Sequence, residues 1–203
     1  MADIFGVIES RRSAKVYDPN LPISREELVE LLEIAGKAPS AWNLQHWHFM
    51  IFDNKEIQQR LLPIAYNQQQ IVDASAVIAV LGDLEANKNA ELVFTPDVEA
   101  GMMTPEIKSA LIQQIEGAYQ NKQYARDAAF SNASLAAMQF MLAAKAKGWD
   151  TCPIGGFNPV QFMKEFNVSD RYVPVMLITI GKAIKEPRKS NRLDIHQLIT
   201  EAK

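Results

Sequence analysis

The segment 11–15, with the sequence Arg-Arg-Ser-Ala-Lys, places two guanidinium groups, a hydroxyl and an ammonium within one short turn. An arginine side chain donates two parallel hydrogen bonds to a phosphate, and a serine hydroxyl adds a donor with little steric demand. The composition predicts a phosphate-binding turn, but an isolated cluster of this kind is also typical of a solvated basic surface. Arg188, Lys189 and Arg192 near the C-terminus either extend this positive charge or form an ordinary basic tail.

The segment 38–47 combines neutral amide side chains with aromatic residues. Asn43 and Gln45 each offer a donor and an acceptor, so they could bind the hydrogen-bonding edge of a heterocycle. Pro39 and Ser40 precede them. An ordinary turn between a helix and a strand is the alternative for this segment.

The segment 152–157 contains the glycine pair Gly155 and Gly156 directly after Pro153 and Ile154. A glycine lets its backbone N–H approach a planar ligand that any Cβ would push away, so the pair predicts contact with a ring. A tight turn without a ligand is the alternative.

Helices that would position these segments begin at recognisable caps. Asp3 can cap a first helix that runs through Ser10, and Ser24 with Glu27 forms a capping box at the start of an amphipathic second helix. The segment 126–147 is apolar nearly all round and is followed by a glycine, which predicts a central helix that protein surrounds on every side.

Three short apolar runs rich in aromatic or β-branched residues, at 47–53, 76–82 and 172–181, predict strands that are buried on both faces. The residues 83–125 between the second run and the central helix far exceed the length of an ordinary loop. A Thr-Pro pair at 104–105 suits the cap and first residue of an inserted helix. We predict that this insertion acts as a lid.

Composition limits the function classes that the chain can serve. The chain has 203 residues, 48% of them hydrophobic, which fits one globular domain over residues 1–203. A net charge of -3 gives no basic field for nucleic acid or an anionic membrane, and no apolar run approaches the roughly 18 residues of a membrane span. The single cysteine, Cys152, suits a reducing cytoplasm. His46, His48 and His196 lack metal-ligand spacing, so no metal site is predicted.

The order of these segments along nearly the whole chain resembles the nitroreductase family of FMN enzymes. The resemblance is densest in residues 11–15, 39–47, 67–70 with 73–75, 153–157 and Arg192. It implies an α+β fold with a central mixed or antiparallel sheet of four or five strands flanked by helices. It also implies a homodimer in which a C-terminal extension of each chain crosses to the partner, with one FMN per subunit at the interface.

The resemblance further implies which residues hold the cofactor. The FMN phosphate would be bound by Arg11, Ser13 and Arg192, with Arg12 beside them and Lys189 as an additional contact. Lys15 would reach the ribityl chain and the pyrimidine edge, where its charge would stabilise the reduced flavin.

Around the flavin ring, the resemblance implies that the backbone N–H of Gly155 points at N5, the atom that accepts and returns hydride. The pyrimidine side would be lined by Asn67 and Gln70, and the ring by Pro153, Ile154 and Gly156. The other subunit would contribute Pro39, Ser40, Asn43 and Gln45.

The chain departs from the family pattern at two places. Some family members carry lysine where this chain has Gln70, so the reduced flavin is predicted to be less stabilised here. Ala41 and Trp42 replace small hydroxyl residues and His46 stands where proline is common, so no contact is assigned to these three side chains.

The implied activity is hydride transfer from NADH or NADPH, through flavin N5, to a nitroaromatic, quinone or similar electron-poor small molecule by a ping-pong mechanism. The sequence has no G-x-G-x-x-G fingerprint, which agrees with a nicotinamide that binds transiently over the flavin. One alternative is a flavin-dependent dehalogenase or an oxygen-using flavin-fragmenting enzyme of the same superfamily. The other is an FMN-binding carrier or regulator without turnover.

Overall fold

A computed structural model describes residues 3–202 of the chain. Its central sheet has four strands: β1 (Trp47–Phe52), β2 (Ala76–Asp83), β3 (Asp150–Ile154) and β4 (Tyr172–Gly181). The strands lie in the order β1-β2-β4-β3, and every neighbouring pair is antiparallel. All of β2 is buried, as the apolar run at 76–82 predicts.

Helices pack around this sheet. In chain order they are α1 (Ile4–Ser10), α2 (Arg25–Ala35), α3 (Lys55–Ile64), α4 (Gln70–Asp73), α5 (Ala90–Glu99), α6 (Pro105–Tyr119), α7 (Lys122–Ala146) and α8 (Pro159–Glu165). Short 3-10 turns cover Ala41–Asn43, Ala86–Asn89 and Ile195–Gln197. None of the helices within residues 3–202 combines the length and apolarity that a bilayer crossing requires.

The central helix α7 lies against β2, with α2 beside it. The contact is closest at Gly82, where an added Cβ would lie 2.9 Å from backbone atoms of Ala129. Farther along α7, Ala133, Ala136 and Ala137 are fully buried. Small side chains on this stripe let the helix approach the sheet. The prediction that protein surrounds the central helix on every side is wrong within one chain, because Leu135 and Met138 on its other face are 47% and 38% exposed.

The helix caps follow the sequence with one correction. Asp3 accepts hydrogen bonds from the first turn of α1, and the Ser24 hydroxyl accepts one from the Glu27 N–H at the start of α2. The predicted capping box is only half formed, because the Glu27 carboxylate accepts a 2.6 Å hydrogen bond from Trp149 Nε1 instead. This bond ties α2 to the chain just before β3.

Strand β3 is an addition to the three strands that the sequence predicts, and its last residues are the first residues of the segment 152–157. Pro153 lies within the strand and pairs with Ile178. An edge strand tolerates proline, since alternate N–H groups of such a strand face away from the ladder. The glycine turn therefore begins only at Gly155.

The insertion 83–125 contains α5, α6 and the first turn of α7. Helix α6 begins as predicted, with Thr104 as its cap and Pro105 as its first residue, whereas α5 is an addition. Side chains of the insertion pack around the fully buried Leu44, so the insertion and the segment 38–47 share a small core. Its action as a lid stays a prediction.

Candidate active site

The basic turn 11–15 runs along the open edge of β3. Ser13 forms a parallel bridge with Thr151, and the Ala14 N–H donates to the Thr151 carbonyl at 3.1 Å. This pairing places the turn beside Cys152.

Four of the predicted cofactor residues lie near enough to the Cys152 thiol to influence its ionisation. Burial raises the pKa of this thiol, while Lys15, Ser13, Gln70 and Arg11 act on it in the opposite direction through charge or hydrogen bonding. These residues come from the basic turn and from α4, on separate parts of the chain. The fold therefore brings together the side chains that the sequence predicts for the phosphate and the pyrimidine side.

The two arginines of the turn differ in what they can bind. Arg12 turns back on its own helix, where its Nη1 donates to the carbonyl oxygens of Glu9 and Arg11. Arg11 Nη1 is shielded from solvent and has no hydrogen-bond partner within residues 3–202. Because an unpaired buried guanidinium nitrogen is costly, Arg11 is the donor best placed for an anionic ligand.

The basic tail lies against this turn. Lys189 and Arg192 line a cavity of about 260 Å³ together with Arg11. Arg188 lines a neighbouring cavity of about 580 Å³ together with Lys15. Of the two interpretations of the tail, the structure supports the one in which it extends the positive charge of the turn.

On the other side of the site, Gln70 is buried at the start of α4. Its Nε2 donates to Gln68 Oε1 at 3.2 Å, and its own Oε1 is buried without a partner among the described residues. Gln68 Nε2 in turn donates to the Gly156 carbonyl at 2.8 Å. An added Cβ on Gly155 would meet nothing within 4 Å, so open space lies over this residue.

The remaining ring-side residues are more peripheral. Asn67 is exposed and has a left-handed backbone with φ of +57°. Ile154 is 4% exposed and its side chain packs in the core, so any contact with a ligand would come from its backbone. Gln68 has no role in the sequence-based prediction, and the only signal for it is its place in the run Asn-Gln-Gln-Gln at 67–70.

The amide turn forms a second group. Ser40 Oγ accepts from the Gln45 N–H at 2.9 Å, and Asn132 Oδ1 on α7 accepts from the Ala41 N–H at 2.9 Å. Asn43 and Gln45 have left-handed backbones with φ of +54° and +53°, and both side chains are exposed. The turn is therefore held in an unusual conformation that presents its amides outward.

A cavity of about 470 Å³ lies beside this turn, between it and α5. It is lined by Asn43, Leu44, Gln45, Trp47, Asn89, Leu92 and Val93. Pro39, also predicted as a site residue, is exposed just before the turn.

The two groups lie far apart in one chain. Trp47 follows the amide turn and pairs with Gly82 at one end of the edge strand β1. Cys152 lies on the opposite edge strand, β3, where it pairs with Thr179 of β4. Three strand spacings and five residues of strand separate the two positions, which is roughly 20 Å. The structure does not bring the amide turn to the basic turn within one subunit.

His46 follows the amide turn and is fully buried. Neither ring nitrogen has a hydrogen-bond partner within residues 3–202, and the ring stacks on Tyr119 at a centroid distance of 6.5 Å. Burial lowers the pKa of His46 to about 4, although the nearby Asp83 carboxylate opposes this shift. His46 is therefore a neutral packing residue, consistent with the absence of any assigned contact.

We expect His46 to make the protein sensitive to acid. Its pKa is about 4 in the folded chain, against an ordinary value of 6.5, so the unfolded state takes up the proton first. The free energy of unfolding should fall as the pH drops from 6.5 towards 4, by up to about 3 kcal/mol from this residue. His46→Phe should flatten this part of the pH profile, as measured by urea unfolding at pH 7 and pH 4.5.

The exposed His196 provides the control for this experiment. His196→Phe makes the same exchange of side chain at an exposed position, so the difference between the two variants isolates the effect of burial. Equal pH slopes in the wild-type protein and His46→Phe would contradict the assignment of a neutral buried imidazole.

Known proteins resemble this chain in sequence and in fold. A family model described as "Nitroreductase family" matches residues 8–182. Over 200 residues the chain is 60% identical to "Putative NAD(P)H nitroreductase YodC" of Bacillus subtilis, with 98% of this chain and 99% of that protein covered. It is 32% identical over 197 residues to "CLA biosynthesis enone reductase" of Lactiplantibacillus plantarum, covering 95% of this chain and 91% of the relative.

Among solved structures, the chain is similar to a crystal structure from Exiguobacterium sibiricum, described as a "putative nitroreductase in complex with FMN". The TM-score is 0.92 at 39% sequence identity, and the alignment covers 100% of this chain and 98% of the other.

Proposed function

We propose, since this chain belongs to the nitroreductase family, that it reduces nitroaromatic, quinone or similar electron-poor small molecules with NADH or NADPH, using FMN. The observation that carries this proposal is Arg11 Nη1, which is buried without a hydrogen-bond partner among residues 3–202. Arg11 lies in the same turn as Ser13 and Lys15, and this turn pairs with β3, the strand that leads to the open space over Gly155. When bound, FMN supplies a ring that takes hydride from the nicotinamide and passes it to the acceptor in a ping-pong cycle.

The donors and acceptors of the site fit FMN. Arg11 Nη1 is a buried donor that needs an anion, and Gln70 Oε1 is a buried acceptor that needs a donor, as a ribityl hydroxyl or a ring N–H would provide. The space over Gly155 admits a planar group close to the backbone.

Each residue then has a distinct task. The phosphate is held by Arg11, Ser13 and Arg192, with Arg12 and Lys189 as outer contacts. Lys15 stabilises the negative charge that the bound ring gains on reduction. Asn67 and Gln70 orient the pyrimidine side, Gly155 presents its N–H to N5, and Pro153, Ile154 and Gly156 line the ring through their backbone.

The separation of the two residue groups supports a site shared by two subunits. Pro39, Ser40, Asn43 and Gln45 of one chain would complete the site of the other in a homodimer. Large apolar side chains are exposed on α1, on α7 and in the tail, as expected of a surface that a second copy covers. They include Phe5 at 72%, Leu135 at 47%, Leu193 at 66% and Leu198 at 65% exposure. The tail segment 185–202 would cross to the partner, and the enzyme would work in the cytoplasm, where NADH and NADPH are available.

The proposed function is tested with purified, FMN-loaded protein. A yellow dimer that NADH or NADPH bleaches without oxygen, and that a nitroaromatic, quinone or enone reoxidises, supports it. Reoxidation by oxygen alone with loss of the flavin would favour a flavin-fragmenting enzyme. A yellow protein that no nicotinamide reduces would favour a carrier, and a colourless protein that refuses FMN would contradict the proposal.

Gln70→Lys is expected to raise the midpoint potential of the bound flavin. A positive charge on the pyrimidine side stabilises the reduced ring, and a gain of about 1.4 kcal/mol corresponds to roughly 30 mV for two electrons. The potential is measured by equilibration with reference dyes. Gln69→Lys provides the control, because the side chain of Gln69 is exposed and pairs with Asp73. An unchanged potential in Gln70→Lys would count against the position of this side chain.

A further inference from the structure

Gln68 joins the two walls of the proposed flavin site, and its side chain has no role in the activity as described so far. We infer that Gln68 is a positioning residue that fixes both the Gly155-Gly156 turn and the amide of Gln70 towards the flavin. The inference rests on the proposed function, because the role of Gly155 at N5 is part of that proposal.

The orientation of the Gln68 amide is determined by its partners. Nε2 donates to the Gly156 carbonyl at 2.8 Å and to the Ala65 carbonyl at 3.0 Å. Carbonyl oxygens only accept hydrogen bonds, so the nitrogen of the amide must face both of them. Gln68 therefore clamps the glycine turn to the end of α3, although Gly156 lies 88 residues after Gln68 in the chain.

The orientation of the Gln68 amide also determines the orientation of the Gln70 amide. With its nitrogen on the two carbonyls, Gln68 has Oε1 free to accept from Gln70 Nε2 at 3.2 Å. Gln70 then keeps its own Oε1 on the opposite side, where it is buried without a partner among residues 3–202. Gln68 thus holds the amide of Gln70 with its Oε1 acceptor directed away from Gln68, where a donor of a bound flavin could pair with it.

Few other side chains lie close to the glycine pair, Gly155 and Gly156. An added Cβ on Gly156 would have Gln68 Nε2, at 3.6 Å, as its only neighbour within 4 Å, and one on Gly155 would have none. The Gly156 bond is the one side-chain hydrogen bond to this pair in the described part of the chain. The other hydrogen bonds at this turn are between backbone atoms: the Phe157 N–H donates to the Gly155 carbonyl at 3.2 Å, and the Asn158 N–H donates to the Ile64 carbonyl at 2.9 Å.

The backbone conformation of the two residues before Gln68 sets the direction of its side chain. Tyr66 and Asn67 both have left-handed conformations, with φ of +54° and +57°. Two such residues in succession are costly outside glycine, and they reverse the chain sharply at the end of α3. The reversal turns Gln68 towards the glycine pair while leaving Tyr66 exposed.

The first experiment compares Gln68→Met with Gln69→Met. Methionine has a similar shape and no charge but makes neither bond, and Gln69 is the matched neighbour that pairs only with Asp73 on the exposed side of α4. Gln68→Met should retain FMN, lower the midpoint potential of the flavin, and slow its reduction by NADH or NADPH by about 10- to 100-fold, because the donor at N5 is displaced. Gln69→Met should match the wild-type protein in all three measurements.

The second experiment needs no flavin, so its outcome is independent of the proposed function. In the apoprotein of Gln68→Met, hydrogen exchange of a peptide covering residues 154–158 should accelerate relative to wild type and to Gln69→Met. Unchanged exchange in this peptide would overturn the clamp, even if the enzyme proves to be a reductase. Conversely, a clamp confirmed by exchange in a protein that no nicotinamide reduces would refute the proposed function alone.

Gln68→Glu separates positioning from general packing. Its carboxylate cannot donate to the Gly156 carbonyl, whereas the protonated carboxyl can donate one hydrogen bond. The rate of flavin reduction in this variant should therefore rise as the pH falls through the pKa of the new carboxyl, a profile that wild type and Gln68→Met should lack. A flat profile would overturn the inference, as would loss of FMN from Gln68→Met when Gln69→Met retains it, since Gln68 would then serve cofactor retention.

Discussion

Arg11→Met is expected to weaken FMN binding by roughly two to three orders of magnitude, equivalent to about 3–4 kcal/mol. The reason is that Arg11 Nη1 is buried without a partner in the described chain, and we propose that its hydrogen bond goes to the phosphate. Methionine keeps the length and apolar stem of the side chain but cannot donate. The affinity is measured by titrating apoprotein with FMN and following the quenching of flavin fluorescence.

Arg12→Met is the matched control, one residue along the same turn. Arg12 already donates to the carbonyl oxygens of Glu9 and Arg11, so its loss should weaken FMN binding by less than about tenfold. Equal losses in the two variants would mean that FMN binding depends on the summed charge of the turn, and the specific role of Arg11 would be wrong.

Gly82→Ala is expected to lower the free energy of unfolding by about 3 kcal/mol. The new Cβ would lie 2.9 Å from the backbone carbon and oxygen of Ala129, so α7 would have to move away from β2. Asn132, one turn farther along α7, holds the amide turn through the Ala41 N–H. The variant should therefore also lose FMN more readily, and both effects can be followed by urea unfolding and by cofactor release.

Gly117→Ala serves as the control for this substitution. An added Cβ at Gly117, inside α6, would meet nothing within 4 Å, so alanine should stabilise the protein by about 0.5–1 kcal/mol. Equal stability of Gly82→Ala and the wild-type protein would contradict the tight helix-to-sheet contact.

The sequence predicts those parts of the fold whose signals are local. The apolar runs at 76–82 and 172–181 form strands as predicted. They can be recognised in the sequence because a strand that is buried on both faces is apolar at nearly every position. The caps Asp3 and Thr104 are confirmed because each acts on its own first turn. Strand β3 escapes prediction, since Pro153 is compatible with a strand only at a sheet edge, and edge position is a property of the assembled sheet.

The candidate site also contains residues that the sequence predicts and one that it does not. The order of Arg11, Gln70 and Gly155 along the chain resembles a known family, and the fold brings their surroundings together. Gln68 could not be identified, because its role depends on the carbonyl of Gly156, which is distant in sequence. The capping box at α2 is half formed for the same reason. Ser24 accepts from the Glu27 N–H as predicted, but the Glu27 carboxylate accepts from Trp149, in a distant part of the chain.

We propose that each active site combines the basic turn of one subunit with the amide turn of the other. It can be tested with two variants, each defective in one of the two turns: Arg11→Met, and the double substitution Asn43→Gly with Gln45→Gly. Glycine tolerates the left-handed backbone of both positions, so the double variant removes the amides without straining the turn.

The decisive measurement is NADH or NADPH oxidation by an equimolar mixture of the two variants, unfolded and refolded together. Random pairing makes about half of the dimers mixed, and each mixed dimer contains one site with both turns intact, so activity should recover to about a quarter of the wild-type value. If both turns served the same site within one chain, every site would carry a defect. A mixture that stays at the mean activity of the two parents would contradict the shared site.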